Sequence, residues 1–386
     1  MAFFLGVDRE ARRSYGFDEV AIVPGRVTID PVDVDVTTKI GKVQMEIPFM
    51  ASAMDGVVDV NFAAKFSKLG GTAVLNLDGI NTRYENPKDA YNRIIKAPPA
   101  KATQILQEVY REPVKPKLIA ERIKQMKKLK ARTVVSTIPQ NAEKMAGVVQ
   151  EAGADIFVIQ GTVLSTRHIS AKGPSLDLKK LIKKLKIPVI LGNCVDYKTA
   201  LDLMDTGCIG ILVGIGPGSA CTTRGVLGIG VPQITATVDC AAARDYYHKK
   251  TGKYVSVITD GGMTKGGDIC KAFVAGADAV MFGNAFVRAK ESPGRGHHWG
   301  MAMPHHYLPR GTRIYVGTTG SIEEILYGPA RTDDGTQNFV DALRTCMGSV
   351  GAKNIKELQL AELIIAPDIK SEGKLYQQAQ RVGMCR

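Results

Sequence analysis

A glycine-rich segment, GIGPGSACTTRGVLGIG at residues 214–230, has the residue types that a nucleophilic thiol needs. Its glycines and a proline predict a loop, in which Cys221 lies among hydroxyl side chains with Arg224 three residues further on. In such a loop a thiol is expected to be exposed, and a nearby cation and backbone donors would favour the thiolate. Thr222 and Thr223 are expected either to orient a water or a leaving group or simply to hydrogen-bond the loop. The other six cysteines are expected to be inert core residues.

Two further glycine-containing turns, TDGGMTKGGD (259–268) and FGNAF (282–286), are candidates for a phosphate site. Glycine lets backbone N–H groups approach an anion closely, and a following helix adds partial positive charge. We therefore expect Gly261, Gly262, Gly283 and Asn284 to bind phosphate, unless these glycines only serve tight turns. Asp260 would repel a phosphate, so a ribose diol is its expected partner.

The elements that position these residues are short apolar runs, each ending at a small or polar residue and separated by helix-like segments. Eight such runs, without alternation, predict strands buried on both faces of a closed parallel (β/α)8 TIM barrel. A doubly wound open sheet is the alternative, but polar residues gather after the strands, where barrels place their sites. The runs are 47–54, 71–76, 133–138, 156–161, 188–193, 210–215, 255–261 and 279–284.

We interpret residues 1–386 as a single α/β barrel domain with three additions. Prolines around helix-like pieces in 81–130 predict an insertion of about two helices after the second strand. Residues 291–320, rich in Gly, Pro and His, predict a long loop over the site after the eighth strand. Residues 360–386 form a C-terminal tail.

The amino-acid composition is typical of a globular protein and argues against several other classes. The chain of 386 residues is 45% hydrophobic, and its seven scattered cysteines show no zinc spacing, which favours a reducing cytoplasm. Neither a secretory signal nor a membrane span is expected. The net charge of +13 lies largely in helix-like runs such as 121–132 and 177–186, which are expected to be solvated faces. No aromatic-and-basic motif points to nucleic acid.

Taken together, these motifs resemble the IMP dehydrogenase and GMP reductase family over nearly the whole chain. The resemblance runs through YGFDEVAIVPG (15–25), PFMASAMD (48–55), the cysteine loop, TDGGMTKGGDICKA (259–272) and LRTCMGSVGAKNIKEL (343–358). The segments HWGMAMPH (298–305) and LPRGTRIYVGTTGSIEEIL (308–326) are most similar to a compact branch known from actinobacteria and cyanobacteria, without CBS domains. This resemblance implies a cytoplasmic homotetramer or homo-octamer.

The resemblance also implies an IMP dehydrogenase, which oxidises IMP to XMP with NAD+ in guanine nucleotide biosynthesis. Cys221 would attack C2 of the purine to form a thioimidate, and Thr223 would help to place the hydrolytic water. The implied substrate contacts are Ser52, Met54, Gly218, Ser219, Asp260, Gly261, Gly262, Gly283, Asn284, Gly300 and Met301. The implied cofactor contacts are Gln160, Thr162, Asn193 and Gly214.

The chain departs from the family pattern at four places. Gln160 stands where the dehydrogenase usually has an aspartate, and the flap with its Arg-Tyr pair is absent. Arg310 occupies the position of a later Glu or Gln, so Arg310, His305 or His306, or less favourably Tyr307, would activate water. The family's potassium site uses carbonyls corresponding to Gly216, Gly218 and Cys221, together with a C-terminal Glu-Gly-Gly from a neighbouring subunit. The tail of this chain reads SEGKLYQQ at 371–378, and the ammonium of Lys374, at the position of the second glycine, is expected to replace that monovalent cation.

Two other functions stay open at this level. GMP reductase, which deaminates GMP to IMP with NADPH, has a similar cysteine loop and the same thioimidate. A purine-nucleotide-binding protein without catalysis would explain the missing aspartate and flap pair.

Overall fold

Eight parallel strands close into a barrel in the computed structural model, which describes residues 3–171, 175–300 and 312–385. Each strand pairs with the next in chain order and the eighth pairs with the first, so the predicted barrel is confirmed and the open sheet is excluded. The strands are β1 Phe49–Ala51, β2 Thr72–Asn76, β3 Val134–Thr137, β4 Ile156–Gln160, β5 Val189–Cys194, β6 Gly210–Val213, β7 Ser256–Asp260 and β8 Ala279–Phe282.

Helices surround the barrel and bury its outer face. Asp59, Asp177 and Asp196 each cap the helix that follows them by accepting a hydrogen bond from the backbone N–H three residues later. The α-helices are Val60–Lys68, Ile80–Arg83, Lys88–Lys96, Ala102–Val109, Pro116–Lys128, Pro139–Glu151, Leu178–Lys184, Tyr197–Met204, Thr223–Leu227, Gln233–Thr251, Gly266–Val274, Asn284–Val287, Ile322–Tyr327, Phe339–Val350, Ile355–Leu358 and Leu375–Gln380. Short 3-10 helices are Phe17–Glu19, Pro31–Asp33, Pro99–Lys101 and Gly383–Cys385.

The barrel interior is a packed apolar core, closed at its N-terminal end by a β-hairpin. The hairpin pairs Thr38–Ile40 with Val43–Met45, and its residues Ile40 and Met45 join the cluster of inward-facing strand side chains. With the bottom closed in this way, the carboxyl ends of the strands form the open end of the barrel.

The helical insertion predicted after the second strand is present, but its predicted bounds, residues 81–130, were too wide. The segment holds the greater part of four α-helices, and the last of them, Pro116–Lys128, packs between neighbouring barrel helices as the regular helix between β2 and β3. Arg122 on this helix is buried rather than solvated, and its guanidinium donates to the carbonyls of Asn81, Tyr84 and Glu85. The insertion is therefore about 80–115, and a barrel helix holds it in place.

The interpretation of 291–320 as a plain loop was also incomplete. His297–Trp299 pairs antiparallel with Arg313–Tyr315, so the segment carries a two-stranded ladder. Other peripheral pairs join Phe3–Phe4 with Glu10–Ala11 and Val20–Ile22 with Leu363–Ile365. Within the described ranges, no helix has the length and apolar character required to cross a bilayer.

Candidate active site

A cavity of about 950 Å³ opens at the carboxyl ends of the strands. Every residue that was predicted to contact substrate or cofactor, or to act as nucleophile, and that the structure describes, lines this cavity. These residues come from strand ends all around the barrel. These are Ser52, Met54, Gln160, Thr162, Asn193, Gly214, Gly216, Gly218, Ser219, Cys221, Thr223, Asp260, Gly261, Gly262, Gly283, Asn284 and Gly300. The predicted residues Met301, His305, His306, Tyr307 and Arg310 lie outside the described residues.

The thiol of Cys221 is exposed in this cavity, whereas Cys194, Cys208, Cys240 and Cys270 are buried. Cys221 Sγ donates a hydrogen bond to Thr223 Oγ1 at 3.2 Å, and Thr223 is itself only 2% exposed. The backbone N–H of Cys221 donates to the Gly218 carbonyl at 2.9 Å, which closes a tight turn. The loop thus presents the sulfur to the cavity and fixes it against a buried hydroxyl.

Arg224 hydrogen-bonds to the backbone at both ends of the cysteine loop. Its guanidinium donates to the carbonyls of Ile215 at 3.2 Å and Val231 at 2.7 Å, at the two ends of the loop. Burial lowers the pKa of Arg224, and the nearby Cys221 opposes that shift. The cation expected from the sequence is therefore close to the thiol, but its hydrogen bonds go to the backbone.

The turn after β7 adopts a conformation that only glycine adopts easily. Gly261 and Gly262 have φ of +84° and +85°, and a Cβ on Gly262 would lie 3.0 Å from Pro217 Cβ. The Gly261 N–H donates to the Met281 carbonyl at 2.8 Å, so this amide is engaged within the protein. Ser219 Oγ donates to Asn284 Oδ1 at 3.2 Å, which joins the cysteine loop to the turn after β8. The nucleophile loop and both glycine turns therefore form one contiguous surface.

Asp260 is held by two side-chain amides. Asn193 Nδ2 and Gln160 Nε2 both donate to Asp260 Oδ2, at 2.8 and 3.1 Å. Burial raises the pKa of Asp260 to about 6, and the hydrogen bond from Asn193 works in the opposite direction. Two of the predicted cofactor positions are thus directly connected to the predicted ribose-binding carboxylate.

On the opposite wall, after β2 and β3, lies a polar cluster that the sequence reasoning missed. The Asp78 carboxylate accepts hydrogen bonds from Thr137 Oγ1, Ile138 N and Asn141 Nδ2 at 2.6–2.8 Å. Asp78 and Asn141 line the same cavity as Cys221. Their position after consecutive predicted strands was the signal that could have revealed them.

The helical insertion supplies another part of the wall through Leu106 and Tyr110. The Tyr110 hydroxyl donates to Asp55 Oδ2 at 2.6 Å and accepts from Trp299 Nε1 at 2.8 Å. Burial raises the pKa of Asp55 to about 6, and the Tyr110 hydrogen bond counteracts this. No sequence pattern pairs Tyr110 with the barrel, since the contact depends on how the insertion folds back.

Comparison with known proteins connects this geometry to one family. The model of the IMP dehydrogenase / GMP reductase domain matches residues 14–370. An oxidoreductase from Mycolicibacterium smegmatis is 37% identical over 370 residues, which cover 94% of this chain and 99% of that protein. The inosine-5'-monophosphate dehydrogenase of Cryptosporidium parvum is 30% identical, with 89% of each chain covered.

A solved structure agrees with these sequence matches. The IMP dehydrogenase/GMP reductase-like protein from Corynebacterium glutamicum superimposes with a TM-score of 0.89 at 36% identity, covering 94% of this chain and 97% of that one.

Proposed function

The chain is an oxidoreductase of the IMP dehydrogenase/GMP reductase family, and on that premise we propose that it oxidises IMP to XMP with NAD+ through a covalent bond to Cys221. The observation that carries the proposal is that the exposed Cys221 thiol shares one cavity with Asp260 and the glycine turns after β7 and β8. This arrangement provides a nucleophile, a ribose-diol acceptor and a phosphate surface for one nucleotide.

The chemistry of the chain's own residues follows from this placement. Cys221 sulfur, after losing its proton, forms a bond to C2 of the purine, and the hydride on C2 is lost as the thioimidate forms. Water then adds to C2, the carbon–sulfur bond breaks, and XMP leaves while the thiol regains a proton. The hydrogen bond between Cys221 and Thr223 positions the sulfur for both steps.

NAD+ would supply the hydride acceptor in this reaction. The residues present fit such a group, because the cavity extends beyond the glycine turns to the polar wall that contains Asp78 and Asn141. Gln160, Thr162 and Asn193, at the ends of β4 and β5, and Gly214, at the start of the cysteine loop, line the same cavity and would contact the cofactor. His305 and Arg310 remain the proposed groups for water activation.

A second candidate is GMP reductase, whose cysteine loop is similar to residues 214–230, and the chain departs from the dehydrogenase pattern at Gln160. This residue replaces the aspartate that the dehydrogenase usually directs at the cofactor, and here it donates to Asp260 instead. The two activities use the same thioimidate and differ in whether water or ammonia takes part. A third candidate is nucleotide binding without turnover, in which Cys221 would have no role.

Parallel spectrophotometric assays separate these candidates. IMP with NAD+ should produce NADH, whereas GMP with NADPH should show no loss of NADPH. Cys221→Ala should abolish turnover and retain IMP binding, while Cys346→Ala, which removes a half-buried thiol outside the cavity lining, should retain activity. NADPH consumption with GMP, or unchanged turnover in Cys221→Ala, would overturn the proposal.

We also propose a homotetramer or homo-octamer acting in the cytoplasm. Light scattering coupled to size-exclusion chromatography would test the assembly.

A further inference from the structure

The two lysine-rich runs at 121–132 and 177–186 reach the same end of the barrel. They lie on the helices Pro116–Lys128 and Leu178–Lys184, which run antiparallel to the strands. The C-terminal ends of these helices therefore lie at the N-terminal end of the barrel, opposite the cavity. We name the six exposed lysines at these two helix ends the lysine face: Lys127, Lys128, Lys130, Lys183, Lys184 and Lys186.

The two groups of lysines flank the end of one intervening helix, Pro139–Glu151. On one side Lys127 Nζ donates to the Gly153 carbonyl at 2.6 Å, and on the other the Lys186 N–H donates to Gln150 Oε1 at 2.5 Å. Packed helices lie about 8–10 Å apart, so the two outer helices are separated by about 16–20 Å. The lysine face is therefore one continuous surface, built from runs that are distant in sequence.

The positive charge of the lysine face is largely unopposed. Lys127 lies 3.6 Å from Asp155, but the other five lysines form no ion pair within the part of the chain that the structure describes. No acidic residue occurs in 122–132 or in 178–187. The charges of this surface are thus free to meet an anion from outside the protein.

Helix stability does not explain this arrangement. A lysine near a helix C-terminus complements the helix dipole, but that effect is confined to the last turn. Lys130 and Lys186 lie beyond the last helical residues, Lys128 and Lys184. Like charges gathered on one surface repel one another, so the cluster lowers the stability of the folded state unless an anion is bound.

The surface around the lysine face carries the same sign of charge. Exposed Lys39 and Lys42 lie on the hairpin that closes this end of the barrel, and exposed Lys249 and Lys250 lie in the last turn of the helix Gln233–Thr251. The positive potential therefore extends across this end of the barrel and does not depend on one helix.

These features favour an extended polyanion as the partner. A small anion could contact only one of the two lysine groups, because the helices that carry them are about 16–20 Å apart. Protein interfaces and surfaces that insert into membranes need aromatic or apolar anchors. Residues 122–132 and 177–187 contain no aromatic residue, and Leu129 is their one large apolar side chain that is exposed. A nucleic-acid backbone needs only positive charges, because its neutralised phosphates release counterions.

We propose that the lysine face binds the phosphate backbone of nucleic acid without reading base sequence, at the end of the barrel opposite the candidate active site. The inference does not depend on the proposed function, because none of the six lysines lines the cavity. The sequence carries no nucleic-acid-binding motif, and the fold creates this surface by bringing the two runs together.

Fluorescence anisotropy tests the proposal. Short labelled DNA and RNA duplexes of arbitrary sequence are titrated with the wild type at several KCl concentrations. We expect micromolar binding at low salt, of similar strength for both duplexes, with the logarithm of the binding constant falling linearly against the logarithm of the salt concentration.

A variant with four lysines of the face replaced should lose most of this binding. It carries Lys128→Gln, Lys183→Gln, Lys184→Gln and Lys186→Gln. We expect it to bind both duplexes at least about 10-fold more weakly, with a salt dependence that is shallower by roughly one unit of slope for each lysine removed.

A control variant removes the same charge from the insertion, on the cavity side of the barrel. It carries Lys88→Gln, Lys96→Gln, Lys101→Gln and Arg111→Gln, all at exposed positions. It should bind both duplexes as the wild type does. Both variants should also unfold at the melting temperature of the wild type, because every replaced side chain is exposed.

Three results would overturn the proposal. Equal weakening in the two variants would show that the total charge of the protein, and not this face, binds the duplexes. A wild type that binds neither duplex at low salt, or that binds phosphatidylserine vesicles or polyglutamate more tightly than both, would exclude nucleic acid as the partner. A strong preference for RNA or for DNA would contradict recognition by charge alone.

Discussion

The side-chain amide of Gln160 donates to Asp260 Oδ2 over 3.1 Å, so a residue expected to meet the cofactor is tied to the carboxylate expected to meet the substrate. Asn193 donates to the same oxygen at 2.8 Å. A carboxylate held by two amides keeps its second oxygen available for a ribose diol. Gln160 and Asn193 therefore affect both ligands through the orientation of Asp260.

Asp260→Asn should stabilise the free protein at pH 8 while weakening IMP binding. Burial raises the folded-state pKa of Asp260 to about 6, above its ordinary value of 3.8. The charged carboxylate therefore lowers the free energy of unfolding, and this loss is complete once the pH is above about 6. The gain on substitution should be roughly 1–3 kcal/mol, reduced because the side chain partly faces the cavity, and should vanish as the pH falls toward 4. Denaturant titrations at pH 8 and pH 4.5 measure this. An equal gain at both pH values would contradict the charge argument.

Thr223→Val should slow turnover roughly 10- to 100-fold, because the Cys221 thiol loses its acceptor and the hydrolytic water loses a nearby hydroxyl. Stopped-flow absorbance with IMP and NAD+ should show a burst of NADH followed by a slower steady state. Thr222→Val is the matched control and should change the rate little. If the rate of the NADH burst and the steady-state rate fall by the same factor in Thr223→Val, the Thr223 hydroxyl acts in a step before hydrolysis.

Tyr110→Phe should raise the KM for IMP or NAD+ and cost about 1–3 kcal/mol of stability, because Asp55 and Trp299 both lose their shared partner. Tyr91→Phe is the control: it removes a buried hydroxyl that bonds Asn81 at 3.0 Å in the same insertion, away from the cavity lining. Steady-state kinetics and denaturant melts measure the two effects. A KM increase of the same size in both variants would show that Tyr110 acts only through the stability of the insertion.

Arg122→Met should destabilise the protein by about 3–5 kcal/mol, because three carbonyls of the insertion lose their donor inside the fold. The exposed Lys124, two residues further along the same helix, provides the control Lys124→Met, which should change stability by less than about 0.5 kcal/mol. Urea unfolding followed by circular dichroism gives both values. Similar values for the two substitutions would mean that Arg122 is solvated after all.

Turnover should depend little on added K+ if the Lys374 ammonium takes the place of the monovalent cation near the carbonyls of Gly216, Gly218 and Cys221. Lys374→Gly should then restore a K+ requirement, measured as NADH formation in potassium against choline chloride. A wild type whose rate rises steeply with K+ would refute the replacement.

The sequence allowed the barrel to be predicted because each strand lies in a short β-branched or apolar run, and it brought candidate site residues together because barrel sites lie at the ends of the strands. Ser52, Asp260 and Gly283 all satisfy that rule. Tyr110 and Trp299 do not, since they reach the cavity from an insertion and a hairpin whose docking is a tertiary effect. Arg122 was misjudged for a related reason: charge patterns along a helix do not reveal which basic residue meets buried carbonyls.

The packing of the insertion against the barrel also limits which segments of the chain can be replaced. Trp299 shares an apolar cluster with Ile80, Ile94, Leu106 and Val109, so the hairpin beside the cavity rests on the inserted helices. Replacing residues 80–115 with another domain would remove the packing that supports one side of the candidate active-site cavity. Any replacement would have to supply a hydroxyl that donates to Asp55, as Tyr110 does, and an apolar surface on which Trp299 can pack.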